Sequence, residues 1–379
     1  MDKLKQKRKT RFLILVVIIS CAVLAVVGIM CYGKYRMGKI PELTFTEALS
    51  YTTKDNPDAC ITVGIVRDGQ LSYKVYGENG KELPAQLYTY EIGSLTKTFT
   101  AALVNKAISE GKIKMDDTID QYLALPDGKE YPTIQELLTH TSGYKGYYFE
   151  SPMISNFFQG RNDFYGITKE MVLDRAGSLD MEGEDYDFAY SNYGYAVLGL
   201  VLEAVYDTDY TTLVNDFVQN DLELTGTGIL DKSGDLEPTG TGILDQNGDL
   251  GNYWDWKTKD AYLSAGALTS DISDMLSYAR MQLEDNPYFN ECHKSLATIN
   301  ASTEAYKTMG IHMDEIGMAW IIDRENGIIW HNGGTGNYNC YLGFHPETQR
   351  AVVVLSNLAP NERIPATVLG IKLLTELAR

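Results

Sequence analysis

Alternating apolar and polar positions predict β-strands towards both ends of the sequence. The runs "ACITVGIVR" (59–67) and "QLSYKVYG" (70–77) flank Asp68–Gly69, and Asp-Gly between such runs is a strong hairpin signal. Towards the other end, "IGMAWIID", "NGIIWHN", "NYNCYLGFH" and "RAVVVLSN" are strand-like and precede an apolar helix from about Ile364 to Leu377. This pattern predicts one antiparallel sheet that the two ends of the sequence close together.

The segment between these strands, roughly residues 94–300, has the periodicity of helices. In "EIGSLTKTFTAALVNKA", apolar residues recur at helical spacing behind Ser94. "PTIQELLTHTSG" places Thr133 and Glu136 at the spacing of a capping box, and "TSDISDMLSYARMQL" begins with Ser270 as the predicted N-cap. The predicted fold class is therefore α+β, an antiparallel sheet with terminal helices plus a helical subdomain.

A run of 21 residues without a charged side chain, from Phe12 to Tyr32, follows the basic N-terminus. As a helix it would be roughly 30 Å long, enough to cross the hydrocarbon core of a bilayer. Six basic residues precede the run and three follow it before residue 40, so the positive-inside rule places the N-terminus in the cytoplasm. A cleaved signal peptide, or lipoprotein cleavage at Cys21, is the alternative interpretation.

The predicted organisation has four parts. A basic cytoplasmic tail (1–11) leads into a single transmembrane anchor (12–33), a short stalk (34–42) and one domain (43–379). The domain is predicted to lie on the extracytoplasmic side of the cell membrane, to which the N-terminal helix attaches it.

Net charge excludes one class of partner. Residues 1–39 hold nine basic residues and one acidic residue, and the remainder holds 24 basic and 50 acidic residues, which gives −26 within a total of −18. Binding to phosphate groups requires a basic face, so we expect no nucleic-acid partner.

The cysteines and histidines indicate no metal site. Outside the predicted anchor there are three widely spaced cysteines, Cys60, Cys292 and Cys340, with no C-x-x-C pattern. We expect three buried free thiols, and a Cys60–Cys340 bridge is the alternative. The scattered histidines form no H-E-x-x-H motif, so we predict no metal and no other cofactor.

A tandem duplication interrupts the helical segment. "TGTGILDKSGDL" (225–236) recurs as "TGTGILDQNGDL" (239–250). Two copies are too few for a solenoid, and the calcium-loop pattern is incomplete, so we interpret the duplication as a surface turn without chemistry.

Three pairs have a serine followed three residues later by a lysine, and context selects one of them. The pairs are Ser94–Lys97, Ser109–Lys112 and Ser142–Lys145. Gly111 ends a helix beside the second pair, and the third lies in a turn. Only the first pair begins an apolar helix, where spacing of three places both side chains on one face.

A lysine in the first turn of a helix lies at the positive end of the helix dipole. Partial desolvation there lowers the pKa of the amine, and a neutral amine can accept the proton of the Ser94 hydroxyl. The alternative for this pair alone is an exposed Lys97 on an ordinary helix.

Two further segments carry candidate chemistry. "FAYSNYGYAVLGL" presents Tyr190 and Asn192 ahead of an apolar helix, and "IIWHNGGTGNY" ends a strand with His331 followed by Gly333 and Gly334. Glycines at a strand end let a substrate approach the backbone closely.

Several aromatic residues and one histidine have competing interpretations. His140, beside Ser142, is expected to satisfy the end of its helix rather than act as a base. The cluster Tyr144, Tyr147, Tyr148 and Phe149 is interpreted as packing or as the lip of an acyl pocket. Trp254 and Trp256 are further candidates for that lip.

The ordered set Ser-x-x-Lys, Tyr-x-Asn and His-x-Gly resembles the motifs of the serine β-lactamase and penicillin-binding protein superfamily. Tyr in the second motif and His in the third are similar to the branch that contains class C β-lactamases, D-alanyl-D-alanine carboxypeptidases and related esterases. The resemblance covers about residues 45–377. It implies a β-lactamase-like fold for the predicted α+β domain.

The resemblance also implies roles for the motif residues. Ser94 would be the acylated nucleophile, Lys97 its base or proton relay, and Tyr190 would share the proton transfer and activate the deacylating water. Asn192 would hold the amide of the substrate, and His331 would replace the lysine of the third motif.

Two glycines of the third motif complete the predicted site. Gly333 and Gly334 are candidate substrate-binding residues, and the resemblance implies an oxyanion hole made by the N–H groups of Ser94 and Gly334. Such a donor contributes about 3 kcal/mol to stabilising a transition state.

Function is expected to be serine hydrolysis of a small molecule or peptide through an acyl-enzyme. Candidate substrates are D-alanyl cell-wall peptides, β-lactams and small esters. A histidine in the third motif is mostly neutral at pH 7, which weakens the case for substrates with a carboxylate, and no E-x-x-L-N stretch is present, so slow turnover of penicillins is expected. The rival hypothesis is a non-hydrolytic module that binds penicillin or cell-wall peptide, or serves as a sensor.

Overall fold

The computed structural model describes residues 38–183, 186–229 and 247–378. The predicted tail, the predicted anchor and the first four residues of the stalk lie outside the described residues, as does the stretch 230–246 within the duplication. Among the helices that the structure does describe, none is both long and apolar enough to cross a membrane.

The chain divides into two units, Met1–Thr44 and Phe45–Arg379. In the described part of the first unit, Ile40–Glu42 forms a single 3₁₀ turn with proline at its start. The second unit contains all the elements discussed below.

Strands form a nine-stranded antiparallel sheet and a separate three-stranded sheet. The strands are β1 Ile61–Arg67, β2 Gln70–Tyr76, β3 Glu82–Leu83, β4 Tyr90–Glu91, β5 Gly228–Ile229, β6 Leu268–Ser270, β7 Ala297–Thr298, β8 Glu315–Ile316, β9 Ile321–Asp323, β10 Ile328–Gly334, β11 Asn339–His345 and β12 Arg350–Ser356. The large sheet has the order β3-β2-β1-β12-β11-β10-β9-β8-β7 and the small one β4-β6-β5.

Helices occupy mainly the segment between the two halves of the large sheet. Short 3₁₀ turns cover Gly93–Leu95 and Ile119–Gln121. The α-helices are α1 Phe45–Thr52, α2 Thr96–Ser109, α3 Ile134–Leu138, α4 Ser151–Gln159, α5 Lys169–Ser178, α6 Asn192–Tyr206, α7 Tyr210–Asp216, α8 Leu263–Gly266, α9 Ile272–Leu283, α10 Glu304–Thr308 and α11 Ala366–Ala378.

The prediction that the two ends of the sequence close one sheet is confirmed. β1 pairs antiparallel with β12 along its whole length, from Ile61 opposite Ser356 to Arg67 opposite Arg350. The predicted hairpin is also present, because β1 and β2 are joined by Asp68 and Gly69. Both residues have positive φ angles, 52° and 74°, as a two-residue turn of this kind requires.

Helices cover both faces of the large sheet, which explains why β12 reads as a continuous apolar run. On one face, Ile272 and Leu276 of α9 pack directly onto Gly64. On the other face, Tyr341 lies against Gly370 of α11. A strand buried on both faces has no solvent side for polar residues.

Three details of the sequence-based prediction need correction or support. The expected single strand "IGMAWIID" is two short strands, since Gly317 donates to the carbonyl of Trp320 and breaks the run. Asp271, not Ser270, caps α9, because its carboxylate accepts the N–H groups of the first turn. The predicted capping box of Thr133 and Glu136 is confirmed at α3.

The three cysteines outside the predicted anchor are buried free thiols. The prediction of free thiols is confirmed for Cys60, Cys292 and Cys340, and the alternative bridge between Cys60 and Cys340 is not formed.

The small sheet positions the segment that leads into α2. β4 pairs with β6, and Ile92 donates a backbone hydrogen bond to Leu268 directly after the pairing ends. The chain then turns through Gly93–Leu95 into α2. This anchoring holds Ser94 at the junction between the helical part and the large sheet.

Candidate active site

Ser94 lies in the 3₁₀ turn that precedes α2, and two features of Gly93 place it there. Gly93 has a φ of 49°, a conformation that side chains disfavour. A Cβ atom at this position would also lie only 2.7 Å from the backbone nitrogen of Gly334. The turn therefore brings the partly buried Ser94 next to the end of β10.

Lys97 is completely buried, and three oxygen atoms surround its amine. Nζ lies 3.0 Å from Ser94 Oγ, 2.7 Å from Asn192 Oδ1 and 2.6 Å from the carbonyl oxygen of Ala265. Burial lowers the pKa of Lys97 well below its ordinary value, because water no longer solvates the ammonium form. The alternative of an exposed Lys97 is therefore wrong.

Tyr190 lies beside the same amine. Lys97 Nζ is 5.0 Å from the centre of the Tyr190 ring. Although 39% of the residue surface is exposed, the surroundings of the hydroxyl raise its pKa by desolvation, and a hydrogen bond with Ser94 offsets part of this shift. At neutral pH the side chain is a phenol that can donate a proton.

The loop that carries Tyr190 and Asn192 is held by the turn after α3. Ser191 caps α6, and its hydroxyl donates to the carbonyl of Lys145 at 2.7 Å. The backbone N–H of Ser191 donates to His140 Nδ1 at 3.1 Å, and that of Asn192 donates to the carbonyl of Gly146 at 3.0 Å. These bonds fix the start of α6 relative to α3.

His140 has a different role from the expected one. Its side chain does not satisfy the end of α3 but accepts the N–H of Ser191. The backbone of His140 has a φ of 58°, which turns the ring towards the loop, and the ring centre is 4.4 Å from that of Tyr190. Burial lowers the pKa of His140 well below its ordinary value, so the ring is a neutral support.

His331 is buried and neutral. Its Nδ1 lies 2.6 Å from the carbonyl oxygen of Asn332, to which it donates. Burial lowers the pKa of His331 to about 3. His331 therefore supplies no fixed positive charge in the place where the resembling family carries a lysine.

The two glycines at the end of β10 are required by the packing of the chain itself. A Cβ atom at Gly333 would lie 1.9 Å from the carbonyl oxygen of Ile92, and one at Gly334 would lie 2.6 Å from Pro360. β10 and the turn before α2 thus touch backbone to backbone. Substrate binding by these glycines remains a prediction.

Two cavities meet at Ser94 and Gly334, which line both. The apolar cavity, of about 520 Å³, is lined by Tyr190, His331 and mostly apolar residues such as Phe188, Ile311, Met313 and Trp330. The aromatic cleft, of about 60 Å³, is lined by Asn192, Phe164, Trp254, Trp256 and Tyr262. The predicted site residues therefore share one site.

In the other two serine–lysine pairs, the side chains make hydrogen bonds with other residues. Ser109 donates to the carbonyl of Lys106, while the amine of Lys112 lies near the carbonyl of Val205. Ser142 is buried and accepts the N–H of Tyr144.

Sequence reasoning missed two groups that shape the site. The carbonyl of Ala265 contacts Lys97, and a backbone oxygen leaves no residue-specific signal in a sequence. Glu91 is buried, and its carboxylate accepts bonds from the backbone of Trp254 and the hydroxyl of Thr335. A single acid among apolar neighbours in "TYEIGSL" was the available signal for Glu91.

A serine in the turn before a helix and a buried lysine in its first turn, facing Tyr-x-Asn and a strand end, define the active-serine class with a β-lactamase-like fold. The sequence model of the β-lactamase family matches residues 54–373, and the chain belongs to this family. The resemblance to this superfamily and the predicted α+β fold class are confirmed.

Similar proteins support the same fold. Protein flp of Staphylococcus aureus (strain MW2) is 25% identical over 327 aligned residues, and the match covers 80% of this chain and 60% of that protein. The chain thus spans about three fifths of the length of the curated relatives it matches.

Two solved structures are similar across most of the chain. The octameric penicillin-binding protein homologue from Pyrococcus abyssi has a TM-score of 0.66 at 20% identity, covering 88% of this chain and 75% of that one. The β-lactamase/D-alanine carboxypeptidase from Yersinia pestis, in complex with citrate, has a TM-score of 0.65 at 20% identity, covering 90% and 99%.

The buried neutral His331 predicts a pH-dependent loss of stability. Below about pH 6.5 the unfolded chain protonates this histidine, whereas the folded chain keeps it neutral down to about pH 3. Between pH 7 and pH 5 this difference lowers the free energy of unfolding by about 2 kcal/mol. His331→Gln should lose that part of the pH dependence in urea unfolding, whatever its stability at pH 7. An unchanged slope between the two pH values would contradict the assignment.

Proposed function

We propose that this member of the β-lactamase family is a serine hydrolase that forms an acyl-enzyme on Ser94, with Lys97 as the base. The environment of Lys97 Nζ is the observation that carries the proposal. A neutral amine has two N–H groups and one lone pair. Asn192 Oδ1 and the carbonyl of Ala265 accept the two N–H groups. The lone pair then remains for the hydroxyl of Ser94, whose Oγ lies 3.0 Å from Nζ.

The proposed reaction needs only the groups around Ser94. Lys97 accepts the hydroxyl proton as Oγ forms a bond to the substrate carbonyl carbon, and the N–H groups of Ser94 and Gly334 receive the developing oxyanion. The bond to the leaving group then breaks, Tyr190 gives that group a proton, and Lys97 returns a proton to Tyr190. Water releases the acyl group by the reverse transfers.

Proton delivery indicates how a substrate lies in the site. The leaving group must lie beside Tyr190, which lines the apolar cavity but not the aromatic cleft. The acyl part then extends past Asn192 into the aromatic cleft. This orientation agrees with the proposed role of Asn192 in holding the substrate amide.

The lining of the apolar cavity supports a leaving group without charge. None of its described lining residues is Asp, Glu, Lys or Arg, and His331 is neutral because its pKa is about 3. Desolvation of a carboxylate without a paired cation is costly. The name of the Yersinia pestis protein includes D-alanine carboxypeptidase. D-Alanine as a leaving group carries a carboxylate. For this chain, uncharged esters or amides fit the cavity better.

The sequence supports a location for the proposed reaction. The apolar run from Phe12 to Tyr32 and the basic residues before it support a single-pass anchor with the hydrolase domain outside the cell membrane. Cell-wall peptide remains a candidate substrate there.

Covalent labelling tests the nucleophile and the rival binding function. A fluorescent fluorophosphonate should label wild type on Ser94, and Ser94→Ala should lose the label. Ser109→Ala and Ser142→Ala, which remove the serines of the other two pairs, should retain it. A label on another residue would refute the proposal. Stable acylation by every ester and amide tested, with no turnover, would favour the rival non-hydrolytic module.

The pH dependence of acylation tests Lys97 as the base. Because Lys97 must be neutral, the rate should fall as pH decreases through its lowered pKa. In Asn192→Asp a carboxylate would lie near Nζ and stabilise the ammonium, so the acid limb should move to higher pH by at least about one unit. Lys97→Arg, whose side chain stays charged, should lose acylation at all pH values. An unshifted limb in Asn192→Asp would contradict the role of Lys97.

Matched esters test the preference for an uncharged leaving group. We expect kcat/KM for 3-carbamoylphenyl acetate to exceed that for 3-carboxyphenyl acetate by at least about tenfold, since the carboxylate would enter the apolar cavity without a cation. Nitrocefin hydrolysis should be slow for the same reason. Equal rates for the two esters, or nitrocefin turnover at the rate of a dedicated β-lactamase, would contradict this preference.

A further inference from the structure

Large exposed apolar side chains are concentrated in one short stretch. Among the described residues, eight large apolar or aromatic side chains are exposed, and five of them lie between residues 147 and 158. The most exposed are Phe157 and Phe158 of α4, at 75% and 81%. Such a patch is unusual on a soluble surface and indicates a binding site.

These side chains line a groove rather than standing separately. The groove has a volume of about 410 Å³. We call it the α4 groove, and its main lining residues are Tyr147, Phe149, Ile154, Phe157, Phe158 and Phe164. Asp163 is the charged residue at its edge. The lining is suited to a flexible apolar group.

An aromatic stack connects the α4 groove to the reaction centre. Phe164 lines both the α4 groove and the aromatic cleft. Its ring stacks on that of Tyr262 at 4.3 Å and lies 6.4 Å from that of Tyr147. Tyr262 is buried and lines the cleft together with Ser94. Aromatic rings therefore line the way from the cleft beside Ser94 to the surface at α4, together with smaller residues of the cleft such as Ala265 and Gly266.

Charge around the groove is balanced, unlike the chain as a whole. Residues 143–170 carry three basic and three acidic side chains, whereas the complete chain has a net charge of −18. The ion pair of Arg175 with Glu150 further neutralises the surroundings of α4. A charged ligand would find no concentrated counter-charge there, which favours a hydrocarbon as occupant.

We propose that the α4 groove, joined to Ser94 through Phe164 and Tyr262, binds the hydrocarbon chain of the substrate's acyl group. This inference rests on the proposed function, in which the acyl part extends from Ser94 into the aromatic cleft on the side of Asn192. The narrow cleft passes an unbranched chain, and the wider groove takes its distal part. The preferred substrates are then esters or amides of medium- and long-chain fatty acids.

A series of p-nitrophenyl esters tests the proposal on the full chain in detergent. The leaving group is constant, and the acyl group is acetate, butyrate, octanoate or dodecanoate, each below its critical micelle concentration. We expect kcat/KM for octanoate to exceed that for acetate by at least about tenfold, because each buried methylene adds binding energy. The ratio of octanoate to acetate is compared between variants, so partitioning into detergent cancels.

Variants in the α4 groove and a control variant far from it distinguish a loss of chain binding from a general loss of activity. Phe149→Ser and Phe164→Ala should each reduce the octanoate-to-acetate ratio at least about threefold. Phe149 is 64% exposed, so its replacement should leave the fold intact even if Phe164→Ala unfolds. Leu71→Ser, at an exposed apolar residue of β2, should keep the wild-type ratio.

Competition by n-alkylboronic acids for fluorophosphonate labelling gives a second measurement without turnover. Octylboronic acid should protect Ser94 at a concentration at least about tenfold lower than ethylboronic acid, and Phe149→Ser should reduce this difference. Normal labelling of Ser94 without a chain-length preference in either assay would overturn the groove proposal and leave the proposed function intact. Absence of labelling at Ser94 would instead overturn the proposed function, and the groove proposal with it.

Discussion

The structure depends on a buried amine held between fixed oxygen atoms. Lys97 has no exposed surface, and Asn192 Oδ1 and the carbonyl of Ala265 occupy two sides of its Nζ. A buried ammonium ion is costly, so burial favours the neutral amine and lowers the pKa of Lys97. Three helices, α2, α6 and α8, each supply one of these groups. The helical part of the domain is organised around that single nitrogen atom.

The sheet contributes a second constraint, which is backbone contact. Gly333 faces the carbonyl of Ile92, and Gly93 faces Gly334, so the nucleophile turn rests directly on β10. His331 precedes this contact and, as a buried neutral ring, leaves the apolar cavity without a cation. Lys97 therefore comes from a helix, whereas the sheet supplies residues such as Trp330, His331 and the two glycines to the wall of the apolar cavity. Loops and helices also contribute to that wall.

Sequence patterns predicted the large sheet because both of its halves have strong local signals. Asp68–Gly69 requires a tight turn, and strands such as β12 are long apolar runs. Ser94 and Lys97 were identifiable because side-chain identity carries their chemistry. Contacts between residues distant in sequence are harder to predict from local patterns. The break after Gly317 and the charge state of His331 depend on neighbours distant in sequence, which no local pattern encodes.

Two supporting groups of the site, Ala265 and His140, are equally hard to predict from local sequence. Ala265 acts through its backbone, so its identity has no bearing on the contact with Lys97. Local sequence assigns His140 to the end of its own helix, because its partner Ser191 is 51 residues away. For the aromatic residues after it, local sequence is compatible with packing and with the lip of an acyl pocket. In the structure Tyr144 is buried and packs in the core, whereas Tyr147 and Phe149 are exposed.

The pairing of β1 with β12 has a consequence for how the molecule is made. Ile61 finds its partner only when Ser356 has been synthesised, nearly 300 residues later. Ser94 and Lys97 leave the ribosome early, but the strand β10 that supports their turn emerges near the end of translation. A nascent chain therefore carries Ser94 and Lys97 long before it can assemble the site in which they lie together.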